Sequence, residues 1–177
     1  MSAPRTRAYL STGETTPEAL RTVAERVGAP SVVVVLTRTQ PGPWLASWPG
    51  EVAPKVVDLS GTSGSSLRLP ADTDQVVAGL DQTDLTGVSM VLESLLRCLG
   101  PTVVYLESLT GLCLSAGPAR TTRFVRNTVE LVTDAGGTIL ADVNPEAHRT
   151  DDLRVLSSPF QEVVESGAAT PVSSGQS

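Results

Sequence analysis

The chain has 177 residues, of which 40% are hydrophobic and 3% aromatic, and this predicts one domain with a core of aliphatic side chains. The net charge of −6 and the lack of any Lys/Arg run argue against direct nucleic-acid binding, because such a surface repels phosphates. The sequence contains neither an apolar run of the ~20 residues that a membrane span needs nor the apolar segment of a secretory signal, so we expect a cytoplasmic protein.

The first third of the chain alternates strand and helix patterns. Residues 7–12 predict a strand, and TTPEALRTVAERVGAP predicts a helix that begins at a Thr16 cap and ends at Gly28. Residues 31–37, SVVVVLT, form an uninterrupted run typical of a strand buried on both faces. The stretch PGPWLASWPG leaves room for one turn of helix, with Trp44 and Trp48 packed over a sheet edge.

The middle of the chain continues the alternation. KVVDL, residues 55–59, predicts a third strand, followed by a polar loop over GTSGSSLRLPADTDQ. The segment DLTGVSMVLESLLRCLG has apolar residues at spacings of three and four, which predicts an amphipathic helix ending at Gly100. PTVVYLESLTGL predicts a fourth strand with a polar exit.

The last third predicts a helix over TTRFVRNTVELVTDAGG, with its apolar face at the following positions: Phe124, Thr128, Leu131, Val132 and Ala135. GTILADVN predicts a fifth strand, TDDLRVLSS a short helix and FQEVVES a final strand. We expect a single domain over residues 1–166 and a disordered tail over residues 167–177.

Strands that alternate with helices predict a three-layer α/β fold, with a mainly parallel sheet and helices on both faces. Ligands of such sheets bind at the carboxyl ends of the strands. The candidate site therefore consists of the loops that follow these residues: Leu10, Leu36, Leu59, Leu106 and Asp142.

Cysteine and histidine are two further residue types that could carry chemistry. Cys98 and Cys113 lie in apolar stretches without metal-ligand spacing, so we expect buried free thiols rather than a zinc site or a disulfide. The single histidine, His148, lies near Asn144 on a polar loop and is expected to be solvated rather than catalytic.

The order of the elements, and above all VVYLESLTGL followed by a long helix and GTILADVN, resembles the RecA/KaiC-like ATPase core, in particular the RecA-like domains of haloarchaea that lie near signalling genes. The resemblance covers residues 7 to about 166 and implies a RecA-like fold. It places Glu107 and Ser108 at the Walker B position. The scarcity of lysine agrees with a haloarchaeal source, and a GC-rich bacterium is the alternative.

The phosphate-binding loop of that superfamily is degenerate here. GxxxxGK[ST] uses backbone N–H groups, a lysine and a hydroxyl to hold phosphates and Mg²⁺, whereas STGETTPEAL offers Gly13, Thr15 and Thr16 without a lysine. The glutamates of this segment repel a triphosphate. At the end of the second strand, where KaiC-like enzymes carry a catalytic glutamate, the sequence has residues 37–40, TRTQ.

These departures predict a pseudo-ATPase with no catalytic residue and no resident cofactor or metal, which acts in regulation or signalling through a protein partner or its own copy. The alternative is a weak ATP- and Mg²⁺-binding sensor or ATPase, with a vestigial nucleotide site formed by the following residues: Gly13, Thr15, Thr16, Glu107 and Ser108. A hydrolase is the third alternative. It has no GxSxG motif and would depend on His148 with a serine at a strand exit: Ser11, Ser60 or Ser108.

Overall fold

The computed structural model describes residues 7–61 and 75–165 in full and residues 66–67 as backbone. The strands of these residues are β1 (Arg7–Ser11), β2 (Ser31–Leu36), β3 (Lys55–Asp58), β4 (Ser66–Leu67), β5 (Val76–Gly79), β6 (Thr102–Leu106), β7 (Thr138–Asp142) and β8 (Glu162–Val164). The helices are α1 (Pro17–Val27), α2 (Pro41–Ala46), α3 (Leu85–Leu99), α4 (Leu109–Ala116), α5 (Pro118–Asp134) and α6 (Thr150–Ser157), with a 3-10 turn at Pro145–Ala147.

The strands form one sheet in the order β4-β5-β3-β2-β6-β7-β1-β8. All of these strands except β4 run parallel to one another. Strand β4 lies at the edge of the sheet and is antiparallel to β5. Helices α1 and α2 cover one face, and α3 to α6 cover the other. The predicted three-layer, mainly parallel α/β architecture is confirmed and is consistent with a RecA-like fold.

Side chains of the central strands alternate between the two faces, as a period of two requires. In β2, Val33 and Val35 face the helices α3 to α6, while Val32 and Val34 face α1 and α2. The burial of this strand on both faces, predicted from its β-branched run, is confirmed. The two cores are unequal. Among the described residues, 26 buried apolar side chains form the α3–α6 core and 12 form the α1–α2 core.

Helix α1 has the predicted ends. The side chain of Thr16 accepts a hydrogen bond from the Ala19 N–H at 3.1 Å, and Pro17 occupies the first turn, where its missing N–H has no helical partner to lose. Gly28 ends the helix in the left-handed region at φ 69°, which favours glycine because it has no Cβ. The fully buried Leu20 and Val23 attach the helix to the sheet.

The buried face of α5 differs from the prediction. Phe124 and Val132 are buried as expected, but Leu131 is half-buried and Ala135 is exposed. Because α3, α4 and α6 all contact α5, its buried stripe is shifted to include Val125. The predicted face was therefore displaced by about one residue.

Short elements account for the remaining differences. Strand β4 lies inside the predicted polar loop, and β5, VVAG, was not predicted, since so short an apolar run has no distinctive period. Helix α4 lies where the sequence predicted only a polar segment after the fourth strand. Gly111 weakens its sequence pattern, but the buried Leu109 and Leu112 anchor it.

Both cysteines are free, but their predicted burial is wrong for Cys98, which lies on the exposed side of α3, and Cys113 is half-buried. The predicted disordered tail, residues 167–177, lies outside the described residues. Among the described helices, none is long and apolar enough to cross a membrane.

Candidate functional site

The carboxyl ends of the strands contain two crevices. Neighbouring strands β2 and β6 lead into α2 and α4, which lie on opposite faces of the sheet. The same holds for the neighbours β1 and β7, which lead into α1 and α6. Where successive loops leave a parallel sheet in opposite directions, a crevice opens at the strand ends, and ligands of α/β proteins bind there. In this protein each crevice contains a buried carboxylate.

Glu107 fills the crevice between β6 and β2. Its Oε1 accepts hydrogen bonds from three successive backbone N–H groups, those of Thr37 at 2.9 Å, Arg38 at 2.7 Å and Thr39 at 3.0 Å. Successive N–H groups that converge in this way form an anion-binding nest. The glutamate is 4% exposed, so the protein supplies the anion for this nest from its own chain. Glu107 is therefore a structural hydrogen-bond acceptor for the loop after β2.

Asp142 fills the crevice between β7 and β1. Its Oδ2 accepts the Thr15 N–H at 2.7 Å, and its Oδ1 accepts the Thr15 hydroxyl at 2.6 Å. The Tyr105 hydroxyl, from the next strand, donates to Oδ2 at 2.6 Å. Each donor favours the ionised carboxylate. The N–H and hydroxyl of Thr15, which the vestigial nucleotide site would offer to a phosphate, are therefore already bound.

Burial is the largest influence on the pKa values of Asp142 and Tyr105. It raises the pKa of Asp142 from its ordinary 3.8 to about 6, although the hydrogen bonds from Thr15 and Tyr105 and the charge of Arg38 oppose the rise. Burial and then the charge of Asp142 hold the pKa of Tyr105 far above its usual range. Tyr105 therefore keeps its own proton and donates it to the Asp142 carboxylate when that carboxylate is ionised.

Between the two carboxylates lies a cavity of about 240 Å³. At its rim, Arg38 and Glu14 form an exposed ion pair with a separation of 3.5 Å between Nη2 and Oε1. Such exposed pairs contribute little to stability. The cavity is lined by these residues: Thr12, Gly13, Glu14, Arg38, Glu107, Ser108, Asp142, Val143 and Asn144.

Three of the five predicted nucleotide-site residues lie at this cavity, namely Gly13, Glu107 and Ser108. The hydroxyl of Ser108 also accepts the Gly111 N–H at 2.9 Å, which caps α4. The other two residues do not line it. Thr15 is turned toward Asp142, as described above, and Thr16 caps α1.

Sequence reasoning missed two residues of the site, Arg38 and Tyr105. Arg38 was considered only as a non-carboxylate at the place of a catalytic glutamate. Tyr105 carried a usable signal, because a tyrosine in a strand buried on both faces needs a partner for its hydroxyl. Asp142 was recognised as a polar group at a strand exit, but its contact with Thr15 was not.

His148 is not merely solvated, contrary to expectation. It is half-buried, and its Nε2 lies 2.8 Å from the Thr110 hydroxyl, which also accepts the Asn144 N–H at 3.0 Å. The residue therefore holds the loop after β7 against α4. The hydroxyls proposed for a hydrolase form other hydrogen bonds, such as that of Ser11 to the Gly13 carbonyl.

A larger cavity, about 610 Å³, lies at the opposite edge of the sheet, beside the amino ends of β2 and β3. Trp48 and Lys55 are among its lining residues. Trp48 stacks on the buried Trp44 with ring centroids 5.7 Å apart and donates its indole N–H to the Val52 carbonyl. We assign the candidate site to the smaller cavity because the buried ionisable groups lie there.

Within the described part of the chain, no group of three or more His, Cys, Asp or Glu residues is placed to hold a metal ion. A comparison with curated proteins gave no match. Residues 6–166 match a family described as "Family of unknown function (DUF7504)". The match spans most of the chain, and the protein belongs to this family.

Proposed function

We propose that this protein is a non-catalytic RecA/KaiC-like module that acts in regulation or signalling through contacts with a protein partner or with its own copy. The proposal rests on two buried carboxylates at the strand ends, each of which accepts hydrogen bonds from groups that could otherwise bind an anionic ligand. Glu107 binds the N–H groups of residues 37–39, and Asp142 binds the N–H and hydroxyl of Thr15. Groups suited to an anionic ligand are satisfied without one.

The charges around the cavity support the same conclusion. Phosphoryl transfer depends on positioning and on cations that stabilise the transferred group. The only lysine of the sequence, Lys55, begins β3, at the edge of the sheet opposite to the cavity. Carboxylates of Glu14, Glu107 and Asp142 line the cavity instead. A triphosphate would meet repulsion where an ATPase supplies attraction.

The alternative is an ATP sensor that binds weakly without turnover. The observation that favours it is the position of Arg38, whose guanidinium lies at the cavity rim near Gly13. This side chain is 54% exposed, so it is free to reorient toward a phosphate. The resemblance to haloarchaeal domains and a cytoplasmic location belong to the proposal in either case.

The test is calorimetric titration with Mg²⁺-ATP, together with a turnover assay in molar KCl. We expect neither heat of binding nor hydrolysis above background. Glu107→Gln serves as the matched variant, and Glu130→Gln, at an exposed position of α5, changes the net charge equally. Hydrolysis by the wild type and by Glu130→Gln that Glu107→Gln abolishes would overturn the proposal, and saturable binding without hydrolysis would replace it with the sensor.

A further inference from the structure

The cavity at the strand ends is acidic. Among the described residues that line it, Glu14, Glu107 and Asp142 carry carboxylates and Arg38 carries a guanidinium. When all four groups are ionised, three negative charges and one positive charge leave a net charge of −2. Asp142, with a pKa of about 6, is ionised at pH 7.5. A ligand that complements this cavity therefore carries positive charge.

Glu107 leaves one oxygen open to the cavity. Its Oε1 is bound by three N–H groups, whereas its Oε2 accepts no hydrogen bond from the described residues. The side chain is 96% buried, being 4% exposed, and it lines the cavity. Because the Glu107 side chain is largely enclosed by protein, a charged N–H donor placed against Oε2 gains a charge-assisted hydrogen bond.

The size of the cavity limits the ligand. Pockets for drug-sized molecules occupy about 300–1,000 Å³, and this one has about 240 Å³. A single long side chain is therefore a better match than a nucleotide. The described carboxylates also provide no three-ligand group for a metal ion, which favours an organic cation.

We infer that this cavity receives a basic side chain, arginine or lysine, from the protein partner of the module. The inference rests on the proposed function, because it assumes that the site recognises a protein. The guanidinium or ammonium group donates to Glu107 Oε2 and faces Asp142.

The probes are N-acetyl-arginine amide and N-acetyl-lysine amide, titrated at pH 7.5 while backbone amide signals are followed by NMR. N-acetyl-citrulline amide, which has the shape of arginine without its charge, is the matched control. We expect saturable shifts at Gly13, Thr39 and Asn144 with a Kd on the order of millimolar, as suits a group of this size. Citrulline should not saturate the site.

Glu107→Gln tests the acceptor. Its amide oxygen is able to keep the three backbone hydrogen bonds while an –NH₂ group replaces Oε2, so we expect a loss of affinity of roughly tenfold or more. Glu130→Gln should bind the basic probes as the wild type does. If Glu107→Gln does not fold, the comparison of arginine with citrulline on the wild type still shows whether binding depends on positive charge.

The outcomes separate this inference from the proposed function. Equal binding of arginine and citrulline, or no binding of either basic probe, overturns the inference and leaves the proposed function standing when Mg²⁺-ATP also fails to bind. Saturation of the same amides by Mg²⁺-ATP, with no response to the basic probes, overturns both. Charge-dependent binding that Glu107→Gln weakens supports the inference.

Discussion

Tyr105 on β6 donates a hydrogen bond of 2.6 Å to Asp142 on the neighbouring β7. Both side chains are at least 95% buried, with exposures of 2% and 5%. The contact links the ends of two adjacent strands and, through Thr15, extends to the loop after β1. It therefore connects the interior of the sheet to the candidate cavity.

Replacing Tyr105 with Phe removes one donor from the buried carboxylate. We expect Tyr105→Phe to lower the free energy of unfolding by about 1–2 kcal/mol, and by more at pH 7.5 than at pH 5, since the lost bond stabilises the ionised form. Urea denaturation at both pH values measures this. Tyr9→Phe, which loses a bond with Arg7, is the control and should show no such pH dependence.

The raised pKa of Asp142 predicts how stability depends on pH. A folded-state pKa of about 6 against an ordinary 3.8 means that the folded protein holds this proton more tightly than the unfolded chain. The resulting stabilisation is complete below about pH 3.8 and is lost as the pH rises through about 6. Its upper limit is about 3 kcal/mol.

Asp142→Asn isolates this titration from that of other carboxylates. Its amide is able to accept from the Thr15 N–H and Tyr105 and to donate to the Thr15 hydroxyl. We expect the stability of the variant relative to the wild type to increase between pH 4 and pH 7, measured by urea denaturation. A difference that stays constant over this range would show that Asp142 does not titrate there.

Glu107 supports the loop after β2 through three N–H groups. Glu107→Ala leaves these donors without their acceptor, and we expect a loss of about 2–4 kcal/mol in the free energy of unfolding. Glu107→Gln keeps an acceptor oxygen and should lose less than about 1.5 kcal/mol. Equal losses in the two variants would mean that the hydrogen bonds of Oε1 are not what holds the loop.

Leucine-to-alanine substitutions on α3 and on α5 should lower the free energy of unfolding by different amounts. Leu95 on α3 is 5% exposed, so Leu95→Ala should destabilise the protein by about 2–5 kcal/mol. Leu131 on α5 is only half-buried, and Leu131→Ala should cost about 1–2 kcal/mol because less area leaves the core. Denaturation midpoints of both variants test the shifted face of α5, and a larger loss at Leu131 would contradict it.

The charge composition predicts stabilisation by salt. With a net charge of −6 and one lysine, repulsion among carboxylates should weaken as the Debye length falls from ~10 Å at 0.1 M to ~3 Å at 1 M. We expect the melting temperature to rise between 0.1 M and 1 M KCl. A neutral osmolyte at equal osmolality is the control, and a rise of the same size in that osmolyte would attribute the effect to solvent exclusion rather than to screening.

Local patterns predicted those elements whose sequence is long and regular. The β-branched run of β2 and the caps of α1 were sufficient, whereas β5 directly follows a polar loop and the pattern of α4 is interrupted by Gly111. In the site, the position of Glu107 at a strand end followed from the sequence, but its three hydrogen bonds to the loop after β2 did not. The bond between Thr15 and Asp142 did not, because these residues are 127 positions apart and meet only through the pairing of β1 with β7.

The unequal cores on the two faces of the sheet give the molecule an uneven resistance to local opening. Helices α1 and α2 are secured by the smaller group of 12 buried side chains, and α3 to α6 by the larger group of 26. Detaching the whole α1–α2 layer uncovers fewer buried side chains than detaching the α3–α6 layer, so we expect partial unfolding to begin on the α1–α2 side. The loop after β1 lies on that side, and the Thr15–Asp142 contact ties it to β7, so this contact limits how far a fluctuation of α1 spreads into the sheet.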